Sequence, residues 1–298
     1  MILQLAAIGL LFAAGVLARG RGWLQPRHGR LTLRLVVNFG LPALIVGSLS
    51  RIPLDPALIR LPAVAITVIV TVGALAWLTA RVLRLERRAG GALIVSAMAM
   101  NLAFVFPFVY ALSGVEALAG SVIFDLGNAV TTWSLVYFIA VRCGGGAPRL
   151  AAALRRVLLT PPFLAVVAAI VINVLVVPVP DSVLQALRSA GQAVALLVVF
   201  AMGVLFEARR LMTRPVVAAV GLRCMAGLLI GAVVAIAFGL EASHRAVAMV
   251  GSAAPVGFSA VVMAEREGLD LGLATAAASL SALVGLVWLP VLLIALNP

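Results

Sequence analysis

The sequence predicts an all-α integral membrane protein whose ten transmembrane helices form two inverted five-helix repeats. Composition is the first observation behind this prediction: 64% of the 298 residues are hydrophobic and 11% are charged, whereas a soluble domain typically has about 25% charged residues. The second is that apolar runs such as 61–80 and 216–239 recur along the chain, each long enough to cross a hydrocarbon core of roughly 30 Å. The third is the placement of the arginines.

The predicted spans are apolar runs separated by short polar loops. They are Ile2–Ala18, Leu31–Leu49, Leu61–Ala80, Gly91–Leu112, Leu118–Val141, Leu158–Val177, Ala190–Phe206, Val216–Gly239, Ala246–Ala264 and Leu271–Leu296. No basic residue precedes the first run, and Arg19 and Arg21 follow it. This polarity predicts a retained first helix with an outside N-terminus.

All 22 basic residues other than histidine are arginines, and all but Arg223 lie in loops rather than along one helix face. This placement argues against nucleic-acid binding despite a formal net charge of +12. The loops on one side hold Arg19, Arg21, Arg27, Arg30, Arg34, Arg81, Arg84, Arg87, Arg88, Arg142, Arg149, Arg155, Arg156, Arg209, Arg210, Arg214 and Arg266. The opposite loops hold Arg51, Arg60, Arg188 and Arg245. Because arginine is enriched in cytoplasmic loops, we expect both termini to lie outside.

Five spans fall in residues 1–156 and five in residues 157–298. An odd number of spans in each half forces the second half to run upside down relative to the first, a plan found in many secondary transporters. A short internal similarity supports the repeat: Leu-Ile-Val-Gly47-Ser-Leu in span two resembles Phe-Ala-Met-Gly203-Val-Leu in span seven.

Spans four and nine, the fourth of each half, each contain a proline, Pro107 and Pro255. Proline removes a backbone donor and frees a carbonyl, which is tolerated at membrane depth only where protein or a water-filled cavity solvates it. Paired breaks of this kind indicate a binding site near the membrane midplane. Ordinary proline kinks are the alternative.

Polar and small residues surround both prolines. Span four reads Asn101-Leu-Ala-Phe104-Val-Phe-Pro107, and span nine reads Gly251-Ser252-Ala-Ala-Pro255-Val-Gly257-Phe-Ser259. We expect substrate to contact both segments; close packing of small residues is the alternative for the second. The candidate substrate-binding residues here are Asn101, Phe104, Pro107, Ser252, Pro255, Gly257 and Ser259.

Two further residues extend the substrate-binding candidates. Asn38 lies in Asn38-Phe-Gly40-Leu-Pro42, another helix break in span two, where a packing kink is equally plausible. Arg223 lies about eight residues into span eight. It is either a permanent cation for an anionic substrate or a side chain that reaches back to the interface.

Span five carries the candidate ion-coupling residues. Asp125 and Asn128 lie one helical turn apart, and Thr131 and Thr132 follow. A carboxylate inside the membrane is costly and indicates a functional site by default. The predicted coupling residues are Asp125, Asn128 and Thr132; a structural ion pair of Asp125 with Arg223 is the alternative.

The sequence does not favour direct use of ATP, a metal site, a disulfide or an enzymatic activity. No Walker A motif occurs, so we expect no direct use of ATP. Cys143 and Cys224 have neither metal-binding nor disulfide spacing. Asp125 and Arg223 are the only acidic or basic residues well inside the spans, which disfavours a membrane-embedded enzyme. We therefore expect no cofactor and no metal.

These motifs resemble the auxin efflux carrier family, within the bile acid/arsenite/riboflavin transporter superfamily, and the chain is similar to a bacterial member over its whole length. The specific motifs are Asn38-Phe-Gly-Leu-Pro42-Ala-Leu, Asn101-x-x-Phe104-x-x-Pro107 and Ala253-Ala-Pro255-Val-Gly257. The resemblance implies a scaffold of spans one, two, six and seven and a transport core of spans three to five and eight to ten. Spans four and nine would cross at their prolines beside the substrate.

The resemblance also implies a function. Known members export auxin in plants or move malate and malonate in bacteria, so we expect a permease for a small organic acid anion in the bacterial inner membrane, coupled to H⁺ or Na⁺. A sodium-coupled bile-acid-type symporter on the same fold is the alternative. Expected partners are the substrate, the lipid bilayer and a second copy bound through the scaffold helices, but no nucleic acid.

Overall fold

The computed structural model describes residues 2–52, 56–147, 151, 155, 158–208 and 210–296. Over these residues the chain is almost entirely helical, which confirms the predicted all-α class. Met100 and Val256 form an isolated antiparallel β-bridge, and no sheet strand occurs in the described part of the chain. The half boundary at 156 and 157, Arg149, Arg209 and both terminal residues lie outside the described residues.

Eleven helical segments cover the described chain. They are α1 (Ile2–Gly20), α2 (Pro26–Leu49), α3 (Arg60–Val82), α4 (Arg87–Met98), α5 (Leu102–Gly144), α6 (Pro161–Val174), α7 (Asp181–Leu205), α8 (Arg214–Ala237), α9 (Ala242–Ser252), α10 (Phe258–Glu267) and α11 (Leu271–Leu296). Helix α5 bends at Gly114, whose φ of 80° and ψ of −165° suit only glycine. The bend divides α5 into a first limb, 102–113, and a second limb, 115–144.

Each predicted span overlaps at least one helix, but the helices differ in length. Within the described ranges six are long and apolar enough to cross a membrane: α2, α3, α5, α7, α8 and α11. Two apolar helices are shorter: Ala7–Gly20, which is part of α1, and α6, Pro161–Val174. Predicted spans four and nine are each interrupted, so the helices α4, α9 and α10 are individually too short to cross a membrane. The chain is therefore a multi-helix membrane protein, and the count of ten spans stays a prediction.

Large apolar side chains cover the outside of the molecule, as expected for a surface that faces lipid. Phe39 is 71% exposed and Ile59 is 78% exposed. Helix α3 has both environments, because Leu61, Val64 and Val68 are fully buried along one face while Val70 lies on the exposed face. The three-to-four-residue spacing of the buried positions is that of one helix face.

The chain divides into two compact units. Unit 1 comprises Met1–Asp55, Ala103–Val122 and Leu158–Phe206, and so contains α1, α2, α6 and α7. Within it, α7 packs against α1 and α2, and α2 also packs against α6. Unit 2 comprises Pro56–Leu102, Ile123–Val157 and Glu207–Pro298. Within it, α3 packs against α4 and α8, and α8 packs against α9.

Arginine side chains bind the free carbonyls at helix C-termini in both units. In unit 1, Arg19 donates to the Phe206 carbonyl over 2.6 Å, just beyond the end of α7. In unit 2, Arg60 donates to the carbonyls of Phe238 and Gly239, just beyond α8. The last carbonyls of a helix have no partner inside it and carry partial negative charge. These two arginines therefore bond main-chain carbonyls at helix ends.

Candidate functional site

The two interrupted helices of unit 2 meet through their backbones. The Asn101 N–H donates to the Pro255 carbonyl over 2.9 Å, and the Gly257 N–H donates to the Ala99 carbonyl over 2.9 Å. These bonds flank the bridge between Met100 and Val256. We call the two segments joined in this way, 99–101 and 253–257, the crossover.

Local sequence explains why both helices stop here. Pro255 has no N–H to continue α9. Asn101 directly precedes the first residue of α5, the N-cap position where asparagine is among the favoured residues. The Val256 N–H is satisfied by the Ser281 hydroxyl of α11 over 2.9 Å. The N–H groups of Asn101, Val256 and Gly257 at the breaks are thus bonded within protein, as membrane depth requires.

The predicted position of the break in span four is wrong. Residues 99–101 are extended, with Ala99 at φ −73° and ψ 125°, whereas Pro107 lies inside the first limb of α5. A proline only removes one donor and often bends a helix without ending it. The break is instead fixed by pairing with the crossover segment of the second broken helix.

Arg223 lies at the centre of unit 2, with its side chain fully buried. Its Nη1 donates to the carbonyls of Ala97 and Met98 at the end of α4, over 3.0 and 3.2 Å. Its Nη2 donates to the Ser252 carbonyl at the end of α9 over 2.6 Å. One guanidinium therefore binds the C-termini of both half-helices.

Asp125, Asn128 and Thr132 form one hydrogen-bonded row on the second limb of α5. Asn128 Nδ2 donates to Asp125 Oδ1 over 2.8 Å, and the Thr132 hydroxyl donates to Asn128 Oδ1 over 3.1 Å. Asn128 also bonds both backbone groups of Met100, over 3.4 Å each. The row thus ends on the crossover. Asp125 makes no ion pair with Arg223 in the described structure.

The other candidates are distributed as follows. In unit 2, Ser252 is buried at the end of α9, and Ser259 is half-buried in the first turn of α10. The remaining three candidates lie in unit 1: Asn38, Phe104 and Pro107. Phe104 is fully buried against Phe108, with ring centroids 5.5 Å apart, and Pro107 is buried. Asn38 is exposed.

Three of the predicted residues lie in π-helical turns, which sequence patterns do not reveal. The turns are Val36–Gly40, Thr132–Val136 and Leu222–Ala226, and they contain Asn38, Thr132 and Arg223. Turns of this kind are rare and occur frequently at functional sites. Their wider spacing redirects the side chains on them relative to a regular α-helix.

Met100 and Ser281 contribute to the crossover but were not among the residues predicted from the sequence. Met100 contributes its backbone rather than its side chain, so no residue type marks it. Ser281 is one of two serines in the apolar helix α11, and a serine in such a helix usually bonds back to its own backbone. Its hydroxyl does donate to the Ala278 carbonyl over 3.0 Å, in addition to accepting the Val256 N–H.

Comparison with known proteins gives two findings. A family model described as "membrane transport protein" matches residues 1–147 and 149–293. The chain is also similar to an uncharacterized transporter from Methanocaldococcus jannaschii, with 26% identity over 142 residues. That alignment covers 46% of this chain and 46% of the relative, so about half of each. The family match confirms the resemblance drawn from the sequence motifs.

Proposed function

This chain belongs to the membrane transport protein family, and we propose that it is a secondary active transporter that moves a small organic acid anion by alternating access. The family and the similar archaeal protein indicate a transporter and not an enzyme. The substrate class and the coupling are our proposal.

The crossover carries this proposal. Discontinuous helices whose ends meet are the usual binding element of secondary transporters. Helix α10 begins at Phe258 and α5 begins at Leu102, each directly after the crossover. The N-terminal end of a helix presents unpaired N–H groups and partial positive charge, both of which favour a carboxylate. Asn101, Pro255, Gly257 and Ser259 would surround an anion bound there.

Coupling is proposed to act through Asp125. Its carboxylate, the Asn128 amide and the Thr132 hydroxyl supply oxygen atoms in one row, which suits either a proton on Asp125 or a bound Na⁺. Asn128 links this row to Met100 in the crossover. An ion at Asp125 would therefore change the hydrogen bonding of the segment proposed to bind substrate.

The proposed architecture is that of two inverted repeats, 1–156 and 157–298. Support comes from corresponding packing inside each unit: α1 packs against α7 as α6 packs against α2, and α3 packs against α4 as α8 packs against α9. Unit 1 groups α1, α2, α6 and α7, which supports a scaffold of these four helices, although it also contains residues 103–122 of α5. We propose a bacterial inner-membrane location with both termini outside and a homodimer through the scaffold.

Transport by purified protein in proteoliposomes tests the function. We expect uptake of at least one of radiolabelled malate, malonate and indole-3-acetate, driven by an imposed proton or sodium gradient. Asn101→Ala should weaken binding about ten- to a hundredfold, because an amide bonded to a carboxylate contributes roughly 1.5–3 kcal/mol. Protein-free vesicles are the control. Sodium-driven uptake of taurocholate without uptake of the three acids would favour a bile-acid-type symporter instead.

A further inference from the structure

Arg223 is a buried cation whose partners are all main-chain carbonyls. Its side chain is fully buried, and its donors reach Ala97, Met98 and Ser252. Among the described residues no carboxylate forms an ion pair with it, and Asp125 bonds Asn128 instead. A buried charge is strongly destabilising unless something compensates for it. The compensation must therefore come from the helix ends that it binds.

The charges of those helix ends match the charge of the side chain. A helix C-terminus carries roughly −0.5 of an elementary charge. Helices α4 and α9 both end on Arg223, so together they present roughly −1 to a guanidinium of +1. Each half-helix also leaves its last carbonyls unbonded inside the helix, and Arg223 satisfies three of them. The guanidinium thus neutralises the negative side of both breaks.

Two glycines of α8 make this contact sterically possible. A Cβ on Gly227 would lie 2.3 Å from the Ser252 carbonyl oxygen and 2.5 Å from Arg223 Nη2. A Cβ on Gly231 would lie 2.4 Å from Ser252 Cβ. The two glycines are four residues apart, on one face of α8, and their lack of a side chain lets the end of α9 approach the arginine.

We infer that Arg223 is a positioning residue that sets the charge selectivity of the crossover. It cancels the negative C-terminal ends of α4 and α9, so the positive N-terminal ends of α5 and α10 dominate the potential that a substrate meets. This inference rests on the proposed function and makes it more specific: the site prefers a carboxylate to a neutral molecule of the same shape.

The test compares how strongly each variant prefers the acid over its amide. A purely structural defect lowers the amount of active protein without changing this preference. Proteoliposomes containing the full chain take up radiolabelled malate or indole-3-acetate, and unlabelled acid or its neutral amide competes. We expect Arg223→Gln to lower the preference for acid over amide about tenfold. Arg223→Lys keeps the cation and should keep the preference within about twofold.

Gly227→Ala and Gly221→Ala give a matched pair on α8 that retains the arginine. A Cβ on Gly221 meets no atom within 4 Å, so Gly221→Ala should behave as wild type. Gly227→Ala moves the end of α9 away from Arg223 and should lower the acid preference. This pair decides the matter if Arg223→Gln does not fold.

The outcomes separate the two proposals. If wild type transports the acids with no preference over the amides, the proposed anion transport is wrong, and the role of Arg223 falls with it. If wild type prefers acids while folded Arg223→Gln keeps that preference, only the role of Arg223 is overturned. If Gly227→Ala prefers the acid over the amide as strongly as Gly221→Ala does, the role of Arg223 is likewise overturned.

Discussion

The side-chain amide of Asn128 is paired with both backbone groups of Met100. Asn128 Oδ1 accepts the Met100 N–H and Nδ2 donates to the Met100 carbonyl, over 3.4 Å each. Met100 bridges Val256 on its other side. The asparagine therefore continues the crossover pairing onto the second limb of α5, where Asp125 and Thr132 occupy its remaining donor and acceptor positions.

We predict that Asn128→Ala destabilises the protein and uncouples it. The change leaves both backbone groups of Met100 without this partner in a buried site, which should lower the free energy of unfolding by about 1–3 kcal/mol. Thermal unfolding in detergent measures this loss. Thr131→Val is the control, because the Thr131 hydroxyl bonds only the Gly127 carbonyl of its own helix. An Asn128→Ala protein as stable as Thr131→Val would contradict the prediction.

Asp125→Asn should stop gradient-driven accumulation of substrate while leaving exchange of labelled for unlabelled substrate intact. The amide cannot carry a proton or the charge that binds Na⁺, but exchange does not require the ion to be released. Accumulation and exchange are measured in parallel in proteoliposomes. Glu116→Gln removes an exposed carboxylate and should alter neither. Concentration of substrate by well-folded Asp125→Asn would rule out the coupling role.

Helix positions were largely predictable from the sequence, because each apolar run ends at or beside a charged or polar residue, a glycine or a proline. The last predicted span, Leu271–Leu296, has the same bounds as α11. Predicted spans four and five meet at the bend at Gly114. Local composition determines these features, so a single sequence reveals them.

Tertiary contacts that sequence does not record determine the rest. Pro107 marked the correct span but the wrong residue, because pairing with Val256 fixes the break at Ala99–Asn101. Arg223 was recognised as unusual, but its distance along the helix did not reveal that it binds two helix ends. Both cases depend on which segments meet in space.

Membrane orientation is predicted by the arginine distribution. Reporter fusions after Arg88 and Arg210 should be cytoplasmic, and fusions after Ser113 and Asp181 should be outside, because arginine-rich loops remain in the cytoplasm. Alkaline phosphatase is active outside and a fluorescent protein folds inside, so each site is tested with both reporters. Inverted signals at both pairs of sites would overturn the orientation. Opposite signals from two sites that are predicted to lie on the same side would overturn the number of spans.

The two prolines should differ in their effect on substrate binding. Pro107 lies inside a continuous helix, so Pro107→Ala restores an N–H that can bond the Ala103 carbonyl within the same turn of α5. Pro255 stops α9 at the crossover, and alanine is about 3 kcal/mol more favourable than proline in a helix interior. Pro255→Ala therefore favours continuation of α9 through residues 253–256, at the expense of the bridge to Met100.

We expect Pro107→Ala to bind malate or indole-3-acetate within about twofold of wild type, and Pro255→Ala to bind about tenfold more weakly or worse. Binding is measured by isothermal titration or by competition for transport, with thermal unfolding to confirm that both variants are folded. Both substitutions replace a proline ring with a methyl side chain, so each serves as the chemical control for the other. The opposite result, weak binding by Pro107→Ala and normal binding by Pro255→Ala, would show that substrate depends on the proline in the first limb of α5 and not on the crossover.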